Sequence, residues 1–307
     1  MKNNFRILLI VLWCNMIFAQ KSEVFIKSEL PVIKVLYNGE LDAIFFNKTN
    51  KNEIHVTSYD NKYSAIFGGL GFAVLDFDVS KDGKYLVTAN QDKSIIIWEI
   101  KTKKILKHFR PNQETLHGVS FFDTTSFLSF GEKGKLKKWS INAELLYEIN
   151  VSNKALNAIS KFDNTIIVGG YDKRIRMIDN QTKKIRFEMN IGEIITSISI
   201  DKTKKNLYVG DIKGTLNIIN LEQSKIVKTI DLHQSVITDI CFVNHQYVVT
   251  SSWDKMIKFT DIKDFKIKKT FSDHKDYIFS LTTRNKELFS SSRDKRIRIW
   301  NMEELKL

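Results

Sequence analysis

Few residues of this chain are spaced as reactive groups usually are. The six histidines have no metal-ligand spacing, and the patterns HExxH, CxxC and GxSxG do not occur. The segment GGLG at 68–71 lacks the Lys-Ser/Thr of a phosphate-binding loop. We therefore predict no catalytic residue, no metal site and no cofactor. An enzyme could still assemble its site from distant segments, with Asp76, Asp78 and Asp239 as the first carboxylates to consider.

The chain contains a sequence motif that repeats along most of its length. Its clearest copies are LVTANQDKSIIIWEI (86–100), VVTSSWDKMIKFTDI (248–262) and LFSSSRDKRIRIWNM (288–302). The Trp slot recurs every 39 to 41 residues, at Thr57, Trp98, Trp139, Ile178, Ile219, Thr260 and Trp300. So regular a period predicts stacked or radial repeats, and the residues after position 20 have room for seven. Six repeats with an N-terminal extension is the alternative, because the first repeat lacks both the Trp and the turn Asp.

Each repeat has the pattern of β-strands. Apolar and polar residues alternate before the Trp slot, and Asp-Lys pairs separate two strand-like segments as hairpin turns. We attribute these turns to Asp, whose carboxylate accepts backbone N–H bonds and whose backbone tolerates unusual φ/ψ. The strand that opens each repeat carries a small or polar residue at a fixed position, and a radial sheet explains this by crowding near its axis. These residues are Asp76, Gly118, Ala158, Ser197, Asp239 and Ser280.

Together, the Ser/Thr-rich strand, the Asp-Lys turn, the alternating strand and the terminal Trp resemble the WD-repeat β-propeller family over about residues 72–307. The fold expected is all-β, a seven-bladed propeller of four-stranded antiparallel blades that forms a single domain over 21–307. The final repeat has only three candidate strands. We predict that residues 23–28 (EVFIKS) pair with the last blade and close the ring, since an uncovered strand edge invites aggregation.

The resemblance also implies a buried hydrogen-bond tetrad in each blade. Only His274, Ser290, Asp294 and Trp300 match it in full. The preceding repeat keeps the His, hydroxyl and Asp but has Thr260 in place of Trp. Lys133 and Lys213 replace the turn Asp in two other repeats. The His and Asp of this network resemble a catalytic pair, but we predict a structural role.

A function in binding follows from the same resemblance. Propellers of this family usually grip a peptide or protein on one face, where the residues before the turn Asp lie. In this sequence these are Gln91, Tyr171, Trp253 and Arg293. Trp, Tyr and Arg are common interface hot spots. We predict a monomeric, non-catalytic scaffold for a protein or peptide partner. The alternatives are an enzyme with its site across the central channel and a polyanion-binding protein.

Charge and the N-terminus complete the sequence-based expectations. The formal net charge is +13, but the lysines recur near the outermost strands, where they discourage sheet-to-sheet aggregation. Lys2 and Arg6 precede an apolar run at 7–18, which reads as a signal peptide over 1–20, with an uncleaved membrane tether as the alternative. We therefore expect export to the periplasm, envelope or medium, no transmembrane span in the mature chain and no nucleic-acid partner.

Overall fold

Strands make up all the regular structure of the described residues. The structure is a computed structural model that describes residues 22–60, 62–69, 71–111, 114–201, 206–243 and 246–302. The predicted signal peptide at 1–20 lies outside these ranges. Among the described residues no helix is long and apolar enough to cross a bilayer.

The strands form seven four-stranded antiparallel sheets, the blades of a propeller. The prediction of seven blades is confirmed, and the six-bladed alternative is wrong. Strand β1 is Glu23–Lys27. Blade 1 comprises β2 Val32–Asn38, β3 Ala43–Lys48, β4 Ile54–Ser58 and β5 Ser64–Phe67. Blade 2 comprises β6 Val74–Val79, β7 Tyr85–Asn90, β8 Ile95–Glu99 and β9 Lys104–Phe109. Blade 3 comprises β10 Leu116–Phe121, β11 Ser126–Gly131, β12 Lys135–Ser140 and β13 Leu145–Asn150.

The remaining blades repeat this order from the innermost to the outermost strand. Blade 4 comprises β14 Leu156–Phe162, β15 Thr165–Gly170, β16 Arg174–Asp179 and β17 Ile185–Asn190. Blade 5 comprises β18 Ile195–Asp201, β19 Asn206–Asp211, β20 Thr215–Asn220 and β21 Lys225–Asp231. Blade 6 comprises β22 Ile237–Val243, β23 Tyr247–Ser252, β24 Ile257–Asp261 and β25 Ile267–Phe271. Blade 7 contains β26 Ile278–Arg284, β27 Glu287–Ser292, β28 Arg296–Asn301 and β1.

The hairpin between the second and third strands has one geometry in blades 2, 4, 6 and 7. The turn Asp accepts the backbone N–H two residues later, as between Asp254 and Met256 at 2.9 Å. The next residue, a Lys, takes a positive φ, which is 69° at Lys93 and 68° at Lys295. Our attribution of the unusual backbone to Asp is therefore wrong. The Asp fixes the turn through its carboxylate, and the Lys adopts the left-handed conformation.

Blades 3 and 5, in which Lys133 and Lys213 replace the turn Asp, form the same turn with different residues. Gly134 and Gly214 take the Lys position, with φ of 69° and 90°. In blade 5 the carboxylate has moved to the end of β19, where Asp211 accepts the backbone N–H groups of Lys213 and Thr215 at 2.8 and 3.0 Å. The turn is thus preserved although the sequence motif is lost.

The core lies between neighbouring blades. Ile95 and Ile97 are fully buried on one side of β8, and Ile96 is 4% exposed on the other, so both sides of this strand are covered by neighbouring blades. The side chains that face each other across a junction form separate clusters of buried residues around the ring. Each blade is therefore stabilised by the blades beside it.

Strand β1 closes the ring. It pairs with β28 in antiparallel register, from Glu23 opposite Ile299 to Lys27 opposite Arg296, so the predicted closure is confirmed. The Phe25 ring lies edge-on to Phe289 of blade 7 at 5.2 Å and stacks on Tyr59 of blade 1 at 6.2 Å. One strand thus completes blade 7 and contacts blade 1.

Candidate functional site

His274 is the central residue of a buried hydrogen-bond network inside blade 7. Its Nδ1–H donates to Asp294 Oδ2 at 2.8 Å, and its Nε2 accepts from the Ser290 hydroxyl at 2.6 Å. Burial lowers the pKa of His274, although the bond to Asp294 opposes this. Burial alone would raise the pKa of Asp294, but the bond from His274 holds it below its usual value. The imidazole is therefore neutral and the carboxylate ionised.

Trp300 is the exception within this network. Its indole Nε1 is buried and has no hydrogen-bond partner among the described residues. The ring instead packs 5.7 Å from His274 and 5.6 Å from Phe271. Trp139 differs, because its Nε1 donates to Ser129 Oγ at 2.9 Å. The Trp of blade 7 therefore acts by packing, and the Trp of blade 3 also by hydrogen bonding.

Blade 6 repeats the His network without a Trp. His233 bonds Asp254 Oδ2 and Thr250 Oγ1, both at 2.8 Å. A hydroxyl, an imidazole and a carboxylate in this order also make up the catalytic triad of hydrolases. The His233 and His274 side chains have no exposed surface, and neither do Ser290 and Thr250. No substrate can reach these hydroxyls, so their chemistry is structural.

The three carboxylates singled out from the sequence lie at the central channel, where each binds the next blade. Asp76 accepts the Val119 N–H of blade 3 at 3.0 Å, and Asp239 accepts the Leu281 N–H of blade 7 at 2.8 Å. Asp78 accepts the Phe121 N–H in the same way at 2.8 Å. These bonds fasten blade to blade, so the carboxylates serve first as inter-blade contacts.

Lys34 is the channel residue that sequence reasoning missed. The innermost strand of every blade has an irregular register at the same position, and in blade 1 Lys34 lies there, where the others have small or polar residues. Its Nζ bonds Asp76 Oδ1 at 2.7 Å. Burial alone would lower the pKa of Lys34, but the Asp76 carboxylate raises it. Sequence reasoning did not align Lys34 with these residues, because the first repeat matches the repeat pattern weakly.

The channel forms a cavity of about 370 Å³. On one side, four polar side chains bond the backbone carbonyl that opens the next blade's innermost strand. These residues are His117, Asn157, Thr196 and Thr238. On the other side the corresponding residues are apolar, namely Phe279, Ile33 and Leu75. Burial raises the pKa of Asp239 to about 6, so its charge changes within the physiological range. Among the described residues no group of His, Cys, Asp and Glu could hold a metal ion.

One face of the propeller carries a residue from every blade in a common setting. Each donates its backbone N–H to the carbonyl just before the innermost strand of its own blade, at 2.9–3.2 Å. We call these the rim residues: Thr49, Gln91, Glu132, Tyr171, Ile212, Trp253 and Arg293. The four predicted partner-binding residues belong to this set. Sequence reasoning missed the other three because it used the turn Asp as its marker, whereas Gly134 and Gly214 would have located two of them.

Three rim residues expose large apolar side chains. Tyr171 is 47% exposed, and Trp253 and Ile212 are each 39% exposed. Trp253 and Arg293 both contact the ring of Tyr277, a residue that was not predicted. Gln91 in blade 2 and Tyr171 in blade 4 lie elsewhere on the same face, where Tyr171 shares a shallow cavity with His117 and Glu132. The predicted residues therefore share a face without forming one cluster.

Comparisons with known proteins agree with this architecture. A family model described as "WD domain, G-beta repeat" matches residues 62–99, 224–261 and 265–301. Human pre-mRNA-processing factor 17 is 24% identical over 204 residues, 60% of this chain and 34% of that protein. A WD repeat-containing protein 55 homolog of Dictyostelium discoideum is 22% identical over 232 residues, 73% of this chain and 56% of the relative. A homolog from Drosophila erecta is 20% identical over 291 residues, 91% of this chain and 58% of the relative. This chain thus spans less than two thirds of each of these proteins.

These relatives correct the expected location. They come from human, mouse, Dictyostelium and Drosophila, and the human and mouse proteins are named for pre-mRNA processing, so the prediction of an exported, periplasmic or envelope protein is wrong. A run of about 12 apolar residues after two basic ones is a weak signal, since buried segments have the same composition. The assignment of residues 1–20 as a signal peptide is not tested by the described residues.

Sequence motif, architecture and relatives lead to one assignment. The matched segments end at β8, β24 and β28, the third strands of blades 2, 6 and 7. Blades that the family model does not match have the same strand order and the same rim hydrogen bond. The chain is a seven-bladed β-propeller whose repeats resemble those of the WD-repeat family, and the family model matches three of its blades.

Proposed function

We propose that this protein is a non-catalytic interaction scaffold that binds a protein or peptide partner on the face carrying the rim residues. Contacts would involve the four predicted positions, Gln91, Tyr171, Trp253 and Arg293, together with Ile212. The rim geometry supports this most directly. Seven side chains of different chemistry project from one backbone framework, so the surface varies while its scaffold stays rigid. Large exposed aromatic and aliphatic side chains beside a polar channel are typical of such contacts.

The relatives favour one cellular process, RNA processing, as the setting of this scaffold. One of them is named as a pre-mRNA-processing factor, which supports partners among the proteins of RNA processing. Because this chain spans only part of its relatives, the partner is a proposal about the propeller alone. An enzyme is less favoured, since Asp76, Asp78 and Asp239 are committed to backbone bonds between blades.

The proposal can be tested by affinity capture from a cell extract followed by quantitative mass spectrometry. Tyr171→Ala and Ile212→Ala should each reduce a common set of captured proteins, by about tenfold where the side chain is a hot spot. Ile105→Ala is the matched control, because Ile105 is also 39% exposed but lies on the outermost strand β9. Equal loss in Ile105→Ala, or no protein enriched over the empty matrix, would contradict the proposal.

A further inference from the structure

Three side chains form a stack where blades 6 and 7 meet. The Trp253 ring lies parallel to the Tyr277 ring, with centroids 5.2 Å apart and planes inclined by 16°. The Arg293 guanidinium lies 5.5 Å from the centroid of the same tyrosine ring. Backbone bonds from Trp253 to Val236 and from Arg293 to Tyr277 fix the loops that carry them. We call this arrangement the Trp253 stack. Within it, Trp253 remains 39% exposed.

Three lysines lie close in sequence to the residues of this stack. Lys255 follows Trp253 by two residues, Lys275 precedes Tyr277 by two, and Lys295 follows Arg293 by two. All three lysines are exposed. The acidic side chains of the same turns face away, since Asp254 and Asp294 bond the buried histidines. Asp276 is the partly exposed carboxylate here, 3.8 Å from Arg293. The segments that carry the stack therefore hold four cationic side chains, those of Arg293 and the three lysines, against one partly exposed carboxylate that is not bound to a histidine.

We propose that the Trp253 stack binds single-stranded nucleic acid, with a base stacked on Trp253 and the adjoining phosphates held by Arg293 and the flanking lysines. A flat aromatic surface beside cations accepts any base, because every base has a π face. A base needs only a flat exposed face for stacking, whereas the anchor side chains of protein partners tend to fill pockets. Trp253, Tyr277 and Arg293 do not line the five cavities described at the central channel and along blades 1 to 5.

This inference goes beyond the proposed protein scaffold and does not depend on it. The sequence-based expectation against nucleic acid rested on two grounds, export and the placement of lysines near outermost strands. The prediction of export is wrong. Lys255, Lys275 and Lys295 lie in turns on the rim face and not on outermost strands. Lysines such as Lys107 of β9 keep the role of protecting an edge.

Fluorescence anisotropy with labelled octamers of uridylate and of deoxythymidylate tests the proposal. Trp253→Ala should weaken binding by about 5- to 150-fold, the range found for loss of one stacked base. Trp253→Phe keeps a ring and should retain most affinity. Lys275→Ala should weaken binding and also reduce its dependence on salt. Similar affinity for both octamers would mean that the base and the phosphates are recognised. Tighter binding of the uridylate octamer would mean that the 2′-hydroxyl is also contacted. Both results support the proposal.

Two controls match these changes. Tyr63→Ala removes another exposed tyrosine that lies beside a lysine, with Lys103 Nζ 5.5 Å from its ring. Lys107→Ala removes an exposed lysine from an outermost strand. Both should leave affinity unchanged. Equal weakening in Lys107→Ala and Lys275→Ala, or no binding of either octamer, would overturn the proposal. The proposal would also be overturned if an acidic peptide that contains phenylalanine bound in a Trp253-dependent way while neither octamer bound. If Trp253→Ala fails to fold, Trp253→Phe and Lys275→Ala decide.

Discussion

At the scale of single residues, the same amino acid has different roles in different blades. Trp139 and Trp300 occupy equivalent positions, yet only the first has a hydrogen-bond partner for its indole. The sequence indicated that both rings are buried, which they are, at 6% and 2% exposure. It could not show their bonding, because that depends on shifts of less than an ångström between facing strands.

This difference predicts unequal costs for the same substitution. Trp139→Phe removes the ring N–H and leaves the buried Ser129 hydroxyl without that donor, which costs about 1–3 kcal/mol beyond the lost ring volume. Trp300→Phe loses ring volume alone and should be milder, whereas Trp300→Ala should cost about 3–5 kcal/mol. Urea unfolding of the three variants measures this. A larger cost for Trp300→Phe than for Trp139→Phe would contradict the assignment.

Asp239 makes stability depend on pH. Burial raises its pKa to about 6 from an ordinary value of 3.8, so the folded state favours the protonated carboxyl. Its contribution to stability is therefore complete below about pH 4 and is lost as the pH rises through 6.

Asp239→Asn should remove this pH dependence. The amide keeps an oxygen for the Leu281 N–H and carries no charge. We expect a gain of roughly 3 kcal/mol at pH 7.5, from about 1.4 kcal/mol per pKa unit over the shift of Asp239, and almost none near pH 4. Urea unfolding at both pH values measures it. A variant that is less stable than the natural protein at pH 7.5 would show that ionised Asp239 stabilises the ring.

At the scale of elements, the hairpin turns show how one geometry tolerates two sequences. Lys93 and Gly134 have the same φ of 69°, but their surroundings differ. A Cβ added at Gly134 would lie 2.2 Å from the carbonyl oxygen of Ser152, whereas Lys93 already carries one. Conformation permits glycine at both positions, and space requires it at only one.

Opposite exchanges should therefore have opposite effects. Lys93→Gly relieves a left-handed side chain but loosens the unfolded chain, so stability should stay the same or rise by up to about 1 kcal/mol. Gly134→Lys should cost more than about 2 kcal/mol, because backbone would have to move away from the new Cβ. Thermal unfolding of the pair tests this. Similar losses in both would mean that the Lys93 side chain, and not backbone geometry, stabilises the turn.

At the scale of the whole molecule, ring closure depends on a short strand distant in sequence from its partner. Besides the β1–β28 ladder, Ser22 joins blade 7 by bonding Asp273 at 2.6 Å and accepting from Arg298 at 2.7 Å. Ser280 and Val35 bond each other across the junction between blades 7 and 1. Closure is therefore non-covalent and shared among several weak contacts.

Phe25→Ala should loosen this junction. The side chain contacts both Tyr59 and Phe289, so its loss should lower the free energy of unfolding by about 2 kcal/mol and speed hydrogen exchange in β28. Val24→Ala on the same strand is the control, since Val24 is 45% exposed and should matter by less than about 0.5 kcal/mol. Unchanged exchange in β28 would mean that β1 is not needed to hold the ring closed.

The sequence by itself favoured seven blades over the alternative of six, and it located the hairpins and the closing strand, because strand alternation and turn chemistry are local and recur along the chain. The resemblance to the WD-repeat family also led to four of the seven rim residues. Only the tertiary structure decided that Lys34 binds Asp76, that Trp300 lacks a hydrogen-bond partner and that Tyr277 joins Trp253 to Arg293. These contacts join separate strands or neighbouring blades, so they exist only once the ring sets the distances between them.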